Sequence, residues 1–253
     1  MSTAPPILLV DNSNTRTKFA MAAGGQLLPG APLVLPTASI TPEAVQHTLK
    51  GLSYSRAILC SVAPQAAATL RQHMGCPVDE VSSAACSHLL RGYAGAATLG
   101  ADRMANAAAA AACYPLPCVA IDLGTACTFD VVVHEADGPR FAGGVIAPGL
   151  QTLANGPAAH TALLPPTDAS VLSSEPPCAI GSCTREALRA GLHFGYLGML
   201  RGILQGIFRA LGERPCVVLT GGDALPAVAR ALEVDHIDKT LTFKGMMQIF
   251  QVI

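Results

Sequence analysis

Apolar residues run unbroken from Ile7 to Val10 before Asp11 and Asn12 interrupt them, and they return near residues 17 to 22. Together the two runs predict a strand, a short polar turn and a return strand. A loop rich in Gly, Pro and Leu follows. Thr41, Pro42 and Glu43 supply a cap, a first-turn proline and an acidic residue in order, which predicts a helix over AVQHTLKGL. RAILCSV at 56–62 reads as a buried strand, 64–74 as a helix, 78–81 as a weak strand, and the alanine run Met104 to Cys113 as a further helix. Tyr114, Pro115 and Pro117 then break the chain.

CVAIDLG, CTFDVVV and FAGGVI (141–146) predict three consecutive strands in an antiparallel meander. The stretch 157–178 is rich in Pro, Ser and Thr and reads as a flexible loop. Helical pattern returns near Ser182 and runs to about 211. Gly191, Gly195, Gly198, Gly202 and Gly206 fall on one face of that helix. Each glycine costs a helix roughly 0.8 kcal/mol against alanine, so this face is expected to pack tightly, at a dimer interface or between the two halves of the chain. CVVLTGG at 216–222 predicts a strand ending in a glycine turn, with a helix following through ALPAVARAL. The closing KTLTFKGMMQIFQVI is assigned no function.

ILLVDNSNTRTKFAM at 7–21 and CVAIDLGTACTFDVV at 118–132 share one plan of apolar strand, Asp, small polar turn and second strand. This internal repeat predicts an α/β protein of two duplicated domains, 1–115 and 116–253, each presenting its turn to a cleft. A composition with 51% hydrophobic and 13% charged residues fits a folded globular chain. Sixteen Lys and Arg against seventeen Asp and Glu leave no basic run for a nucleic acid or an anionic membrane. The start lacks the basic and long apolar regions of a secretory leader, no apolar run is long enough to span a bilayer, and the expected location is cytoplasmic. Nine cysteines without a CxxC pair read as buried, reduced thiols, and the scattered histidines suggest no metal site.

Backbone N–H groups and hydroxyls in a strand–turn–strand can face phosphate oxygens while the carboxylate holds a divalent cation or its water. Such groups are Asp11, Asn12, Ser13, Asn14, Thr15, Arg16 and Lys18 in the first turn, and Asp122, Gly124, Thr125 and Thr128 in the second. The same residues also suit ordinary polar hairpins. Neither a Walker A motif nor a GxGxxG following a strand is present, so a nucleotide would be held in another way. The paired hairpins with the later Gly221 and Gly222 resemble the actin-like ATPase superfamily. That resemblance implies two duplicated RNase H-like αβ domains with a cleft between them.

Within that superfamily, LGADRMANAAAA at 99–110 resembles the GxDR helix start of type III pantothenate kinases. With Gly92–Tyr93 before it, and DLGTACTFD at 122–130, GGVIAPGL at 143–150 and AIGSCTREALRAG at 179–191 after it, the motifs appear in the family's order. The resemblance implies transfer of the γ-phosphoryl group of ATP, with Mg2+, to pantothenate, the first step toward coenzyme A. It makes Asp102 the general base, and Tyr93, Gly100, Ala101, Arg103 and Thr184 pantothenate contacts, Thr184 reaching across a homodimer. Asp11 to Arg16, Lys18 and Thr125 become ATP contacts, and Asp122 a ligand for a monovalent cation, K+ or NH4+. The helix dipole favours Asp102 as a carboxylate and so as a weak base. Ser13 stands where the family has glycine, and its Cβ is expected to cost about 1 kcal/mol or crowd the nucleotide. Alternatives are a non-catalytic or regulatory accessory protein of the same fold, and a kinase of another small alcohol.

Overall fold

The computed structural model describes residues 5–167, 169–172 and 175–252. Its first elements are β1 (Ile7–Asn12), β2 (Arg16–Ala23), β3 (Gln26–Leu27), β4 (Leu33–Pro36), α1 (Pro42–Leu49), β5 (Arg56–Ser61), α2 (Pro64–His73), β6 (Val78–Glu80) and α3 (Ala101–Cys113). There follow β7 (Cys118–Leu123), β8 (Ala126–Glu135), β9 (Gly138–Pro148), α4 (Leu150–His160), α5 (Thr184–Leu211), β10 (Cys216–Gly221), α6 (Pro226–Leu232), β11 (His236–Ile237) and α7 (Leu241–Ile249).

Among the described residues the strands make a six-stranded sheet, ordered β3-β2-β1-β5-β6 with β4 also on β2, and a five-stranded sheet, ordered β11-β10-β7-β8-β9. Read from the opposite edge, the second order repeats the first: β9-β8-β7-β10-β11 stands beside β3-β2-β1-β5-β6. In each, the strand that ends in an Asp turn is central and runs parallel to the next long strand, β1 with β5 and β7 with β10. The sequence repeat is therefore a repeat of sheet topology.

By packing, the chain forms two compact units. One gathers the residues up to Tyr114, Val132–Ala142 and those from Thr240 onward; the other comprises Pro115–Val131 and Gly143–Lys239. The sequence repeat divides the chain near 115, whereas the packing groups the β8–β9 turn region and the closing segment with the first unit.

In the first unit, strand alternation sends Leu8 and Val10 of β1 and Ala57 and Leu59 of β5 to one face of the sheet. There they meet Val45 and Leu49 of α1 and Ala67 and Leu70 of α2. Thr41 caps α1 as the sequence predicts, its hydroxyl accepting from Ala44 N at 3.2 Å. Helices α3 and α7 lie against β5 and β1. Ala105, Ala107, Ala109 and Ala110 of α3 are fully buried, and their small side chains let α7 approach so closely that a Cβ on Gly245 would collide with the Ala105 backbone. Thr242 Oγ1 donates to Asn106 Oδ1 across this contact at 2.9 Å. The closing segment, without assigned role in the sequence, thus backs the helix that carries Asp102.

In the second unit, Val119, Ile121, Leu123, Val217, Val218 and Leu219 are fully buried in the adjacent parallel strands β7 and β10. The stretch 157–178 is not wholly a loop. Helix α4 continues through Pro157 to His160, and Val171 and Leu172 in a short 3-10 turn are buried. Residues 168, 173 and 174 of that stretch lie outside the described residues. A proline eight positions into α4 forfeits one backbone bond near the helix end, a loss that the helix tolerates. Cys60, Cys86, Cys118 and Cys127 are buried as expected, but Cys113, Cys178 and Cys183 are exposed. Among the described residues, no helix is long and apolar enough to cross a membrane.

Candidate functional site

The first turn joins β1 to β2. Asp11 at its entrance is nearly buried, and Lys18, its register partner on β2, donates to Asp11 Oδ2 at 2.9 Å. Asn12 is buried, with its side chain engaged inward. Its Nδ2 donates to Thr17 Oγ1 at 2.7 Å, and its Oδ1 accepts from Ser61 Oγ at 2.6 Å. Asn14, Thr15 and Arg16 stand exposed at the tip. Ser13 closes the turn by donating from both its backbone N (3.1 Å) and its hydroxyl (2.8 Å) to Arg16 O. Glu233 and Gln251 are the described non-glycine residues with positive φ, so Ser13 carries no left-handed strain. The backbone part of the cost expected for losing glycine is therefore absent.

Asp102 lies in the first turn of α3. The helix N-cap is Gly100, so Asp102 is not the cap residue; its Oδ1 accepts from Arg103 N at 2.8 Å. Gly100 gives this carboxylate its place, since a methyl there would lie 2.5 Å from Asp102 Oδ1. Burial is the largest influence on Asp102 and raises its pKa above the ordinary aspartate value. The Arg103 N–H bond and the Arg103 guanidinium act against this, and the neighbouring Asp11 charge acts with it. The sequence reading, based on the helix dipole, expects a weak base; desolvation outweighs the dipole and makes it a stronger one.

Ala101 and Arg103 are buried on either side of Asp102. The Arg103 guanidinium sits over the ring of Phe141, 5.7 Å from its centroid. Tyr93, half-buried, meets the same ring edge-on at 4.9 Å between centroids, and a methyl on Gly95 would lie 3.1 Å from the Tyr93 ring. Phe141 is fully buried, with its backbone N donating to Leu89 O at 2.8 Å. It thus braces two residues that the sequence singles out, although the sequence does not single out Phe141 itself. A buried aromatic in a strand carries no functional signal in one sequence.

In the second unit Asp122 comes from the end of β7, opposite Thr220 of β10. Gly221 is required here twice. Its φ is +97°, and a Cβ would lie 2.5 Å from Asp122 Oδ1 and against the Leu123 backbone. Asp122 is thus seated against a glycine just as Asp102 is. Thr125 is exposed at the turn, and its carbonyl accepts from Gly149 N at 3.2 Å and Thr152 Oγ1 at 3.1 Å. A side chain on Gly149 would collide with Gly124 and Thr125, which gives the GGVIAPGL motif a physical purpose, to back the second turn with bare backbone.

Thr184 is the first residue of α5, and the N-cap is Cys183. Instead of Thr184, Glu186 secures this helix start, its Oε2 accepting from Ser182 N at 2.8 Å and from Ser182 Oγ at 2.7 Å. Thr184 lines an open apolar cavity of about 550 Å3 between α4 and α5, with Leu153, Pro157, Leu164, Leu188 and Met199. Nearby, Cys127 Sγ and Tyr196 Oη lie 3.0 Å apart, and burial pushes the Cys127 thiol up to about 11, an unreactive value.

Residues 7–206 match the family profile described as type III pantothenate kinase. The chain is 42% identical over 242 residues to the type III pantothenate kinase of Akkermansia muciniphila, covering 94% of this chain and 96% of that protein. It is 35% identical over 251 residues to that of Methylacidiphilum infernorum, covering 98% and 89%. Among solved structures, it is similar to a protein described as a Baf family transcriptional activator from Campylobacter jejuni, at TM-score 0.57 and 19% identity over 96% of this chain and 97% of that one. Similarity extends to the ethanolamine utilization protein EutJ of Carboxydothermus hydrogenoformans, at TM-score 0.56 and 12% identity, covering 97% and 90%. A glucokinase from an Antarctic psychrotroph aligns at TM-score 0.51 and 12% identity, covering 98% and 99%. At these identities the structural likenesses speak for the fold alone, which is that of the actin-like ATPases.

Proposed function

The chain belongs to the type III pantothenate kinase family, and we propose that it phosphorylates pantothenate with ATP to give 4'-phosphopantothenate, the first step of coenzyme A biosynthesis. The observation that carries this reading is the seat of Asp102: a carboxylate fixed against a bare glycine and the Arg103 N–H, its proton affinity raised by burial.

In the reaction a P–O bond forms between the pantothenate hydroxyl oxygen and the γ-phosphorus. The bond to the β,γ-bridging oxygen breaks, ADP leaves with its electron pair, and the hydroxyl proton passes to Asp102. A loose transition state asks chiefly for alignment, and a raised pKa brings the base closer to the working pH. Arg103, held over Phe141, offers a cation to the pantothenate carboxylate, with Tyr93, Gly100 and Ala101 beside it. Thr184 contributes from the second copy of a homodimer. Asp11 to Arg16, Lys18 and Thr125 face ATP. Asn12 acts by shaping the turn, since its amide is engaged inward.

Magnesium bound with ATP neutralises charge on the phosphates. The carboxylates and hydroxyls of the first turn are hard oxygen donors that suit it. Asp122, in its glycine-lined seat, is the ligand for K+ or NH4+. Because the reaction consumes ATP, the cytoplasm is the proposed place of work.

Asp102→Asn tests the reading. Turnover should fall by at least about 100-fold, the lower end of general-base contributions, with ATP binding retained. The folded-state pKa of Asp102 is raised, so its contribution to stability is present at low pH and lost as pH rises through that value. The Asn variant at neutral pH should therefore melt no lower than wild type. For the same reason wild-type kcat/KM should fall on acidification with a midpoint above the ordinary aspartate value. Near-normal turnover in the Asn variant would remove Asp102 from the chemistry.

A further inference from the structure

Thr37 lies in the Gly- and Pro-rich stretch between β2 and α1, a segment with no functional motif. Strand β4 places it: Pro36 is the register partner of Arg16 and Leu35 of Thr17, so the chain leaves β4 directly beside the first turn. There Thr37 N donates to Thr15 O at 3.0 Å and Thr37 Oγ1 donates to Ser13 O at 2.7 Å. Its hydroxyl also lies 3.0 Å from Thr17 Oγ1.

Counting protons fixes the direction of this network. Thr37 has one hydroxyl proton, committed to Ser13 O, so it accepts from Thr17. Thr17 in turn accepts from Asn12 Nδ2, and Asn12 Oδ1 accepts from Ser61 Oγ. A one-way chain therefore runs from the end of β5 through two fully or nearly buried residues, Asn12 and Thr17, to the carbonyl of Ser13. Each bond in this chain is at most 3.0 Å. It ends on the residue that stands where the family has glycine. The turn is thereby held on both sides, by Ser13 donating to Arg16 O within it and by Thr37 behind it.

We infer that Thr37 is a positioning residue for the ATP phosphates, its hydroxyl clamping the Ser13–Arg16 turn so that the exposed tip is presented in one conformation. This rests on the reading of residues 11–18 as the phosphate turn. With the clamp in place, position 13 has less need of glycine: a turn fixed from behind does not require glycine's freedom to settle against phosphate.

Thr37→Val keeps the shape and the backbone bond to Thr15 but removes the hydroxyl. The dissociation constant for MgATP by calorimetry, and KM for ATP, should rise about five- to tenfold, the factor of one net hydrogen bond. KM for pantothenate and kcat should stay within about twofold, and Thr37→Ser should restore wild-type values. An unchanged ATP constant overturns the inference, as does an equal rise in both substrates' KM or a serine variant no better than valine. A wild-type chain that binds MgATP without phosphorylating pantothenate would sink the kinase reading and leave this test in force. One that binds no MgATP overturns both. Should Thr37→Val not fold, Thr37→Ala against Thr37→Ser gives the same comparison. Failure of both hydroxyl-free variants to fold would make Thr37 a folding residue and end the proposal.

Discussion

Gly100 and Gly221 do the same thing at different places: each leaves out a side chain so that a carboxylate can occupy the space, Asp102 in one case and Asp122 in the other. At Gly100 the backbone would accept alanine, since its φ is −59°. The conflict there is with the Asp102 oxygen alone, and that oxygen can swing away. Gly100→Ala should therefore fold and melt near wild type while kcat falls by about 100-fold, the usual effect of displacing a reacting group by about 1 Å. KM for ATP should hold. A Gly100→Ala enzyme with normal kcat would show that the seat of Asp102 does not matter to turnover. At Gly221 the positive φ and the Leu123 backbone forbid the same substitution on structural grounds, so no selective effect on turnover is expected there.

At the scale of elements, helix α5 carries its five glycines on a face where an added Cβ would meet no atom within 4 Å among the described residues. Bare backbone in a helix costs about 0.8 kcal/mol per glycine, so a second copy of the chain is the proposed cover. Gly198→Leu should shift the sedimentation equilibrium toward monomer with the secondary structure intact; an unchanged dimer would place the interface elsewhere. The long elements are legible in the sequence because their apolar periods are long: β1, β2, β5, α1, α2, β7, β8 and β10 lie within a few residues of expectation. The elements β3 and β4, two and four residues long, are too short to show a period. Helix α7 is not legible as a partner of α3 because the two are joined by long-range packing, although a run of buried alanines demands a close neighbour. The site divides in the same way. Asp11, Asp102 and Asp122 stand in motifs that a sequence displays, whereas Thr37 and Phe141 stand in none and meet residues distant in the chain, Thr37 at Ser13 and Phe141 at Tyr93 and Arg103.

For the whole molecule, the shared strand order of the two sheets and the family match describe one protein: a duplicated fold with a repeated strand–Asp–turn, proposed to serve as a phosphate turn in one copy and a cation seat in the other. A near-neutral chain, with sixteen basic and seventeen acidic residues, suits small anionic substrates held by local groups rather than by a global field. The most direct measurement is ADP release by the purified protein with MgATP, with and without pantothenate and with K+ or NH4+ present, while phosphopantothenate is followed by mass. The account predicts one phosphopantothenate formed per ADP released, no turnover without pantothenate, and a requirement for the monovalent cation. A folded protein that binds MgATP yet forms no phosphopantothenate, or that releases ADP equally well without pantothenate, would contradict it.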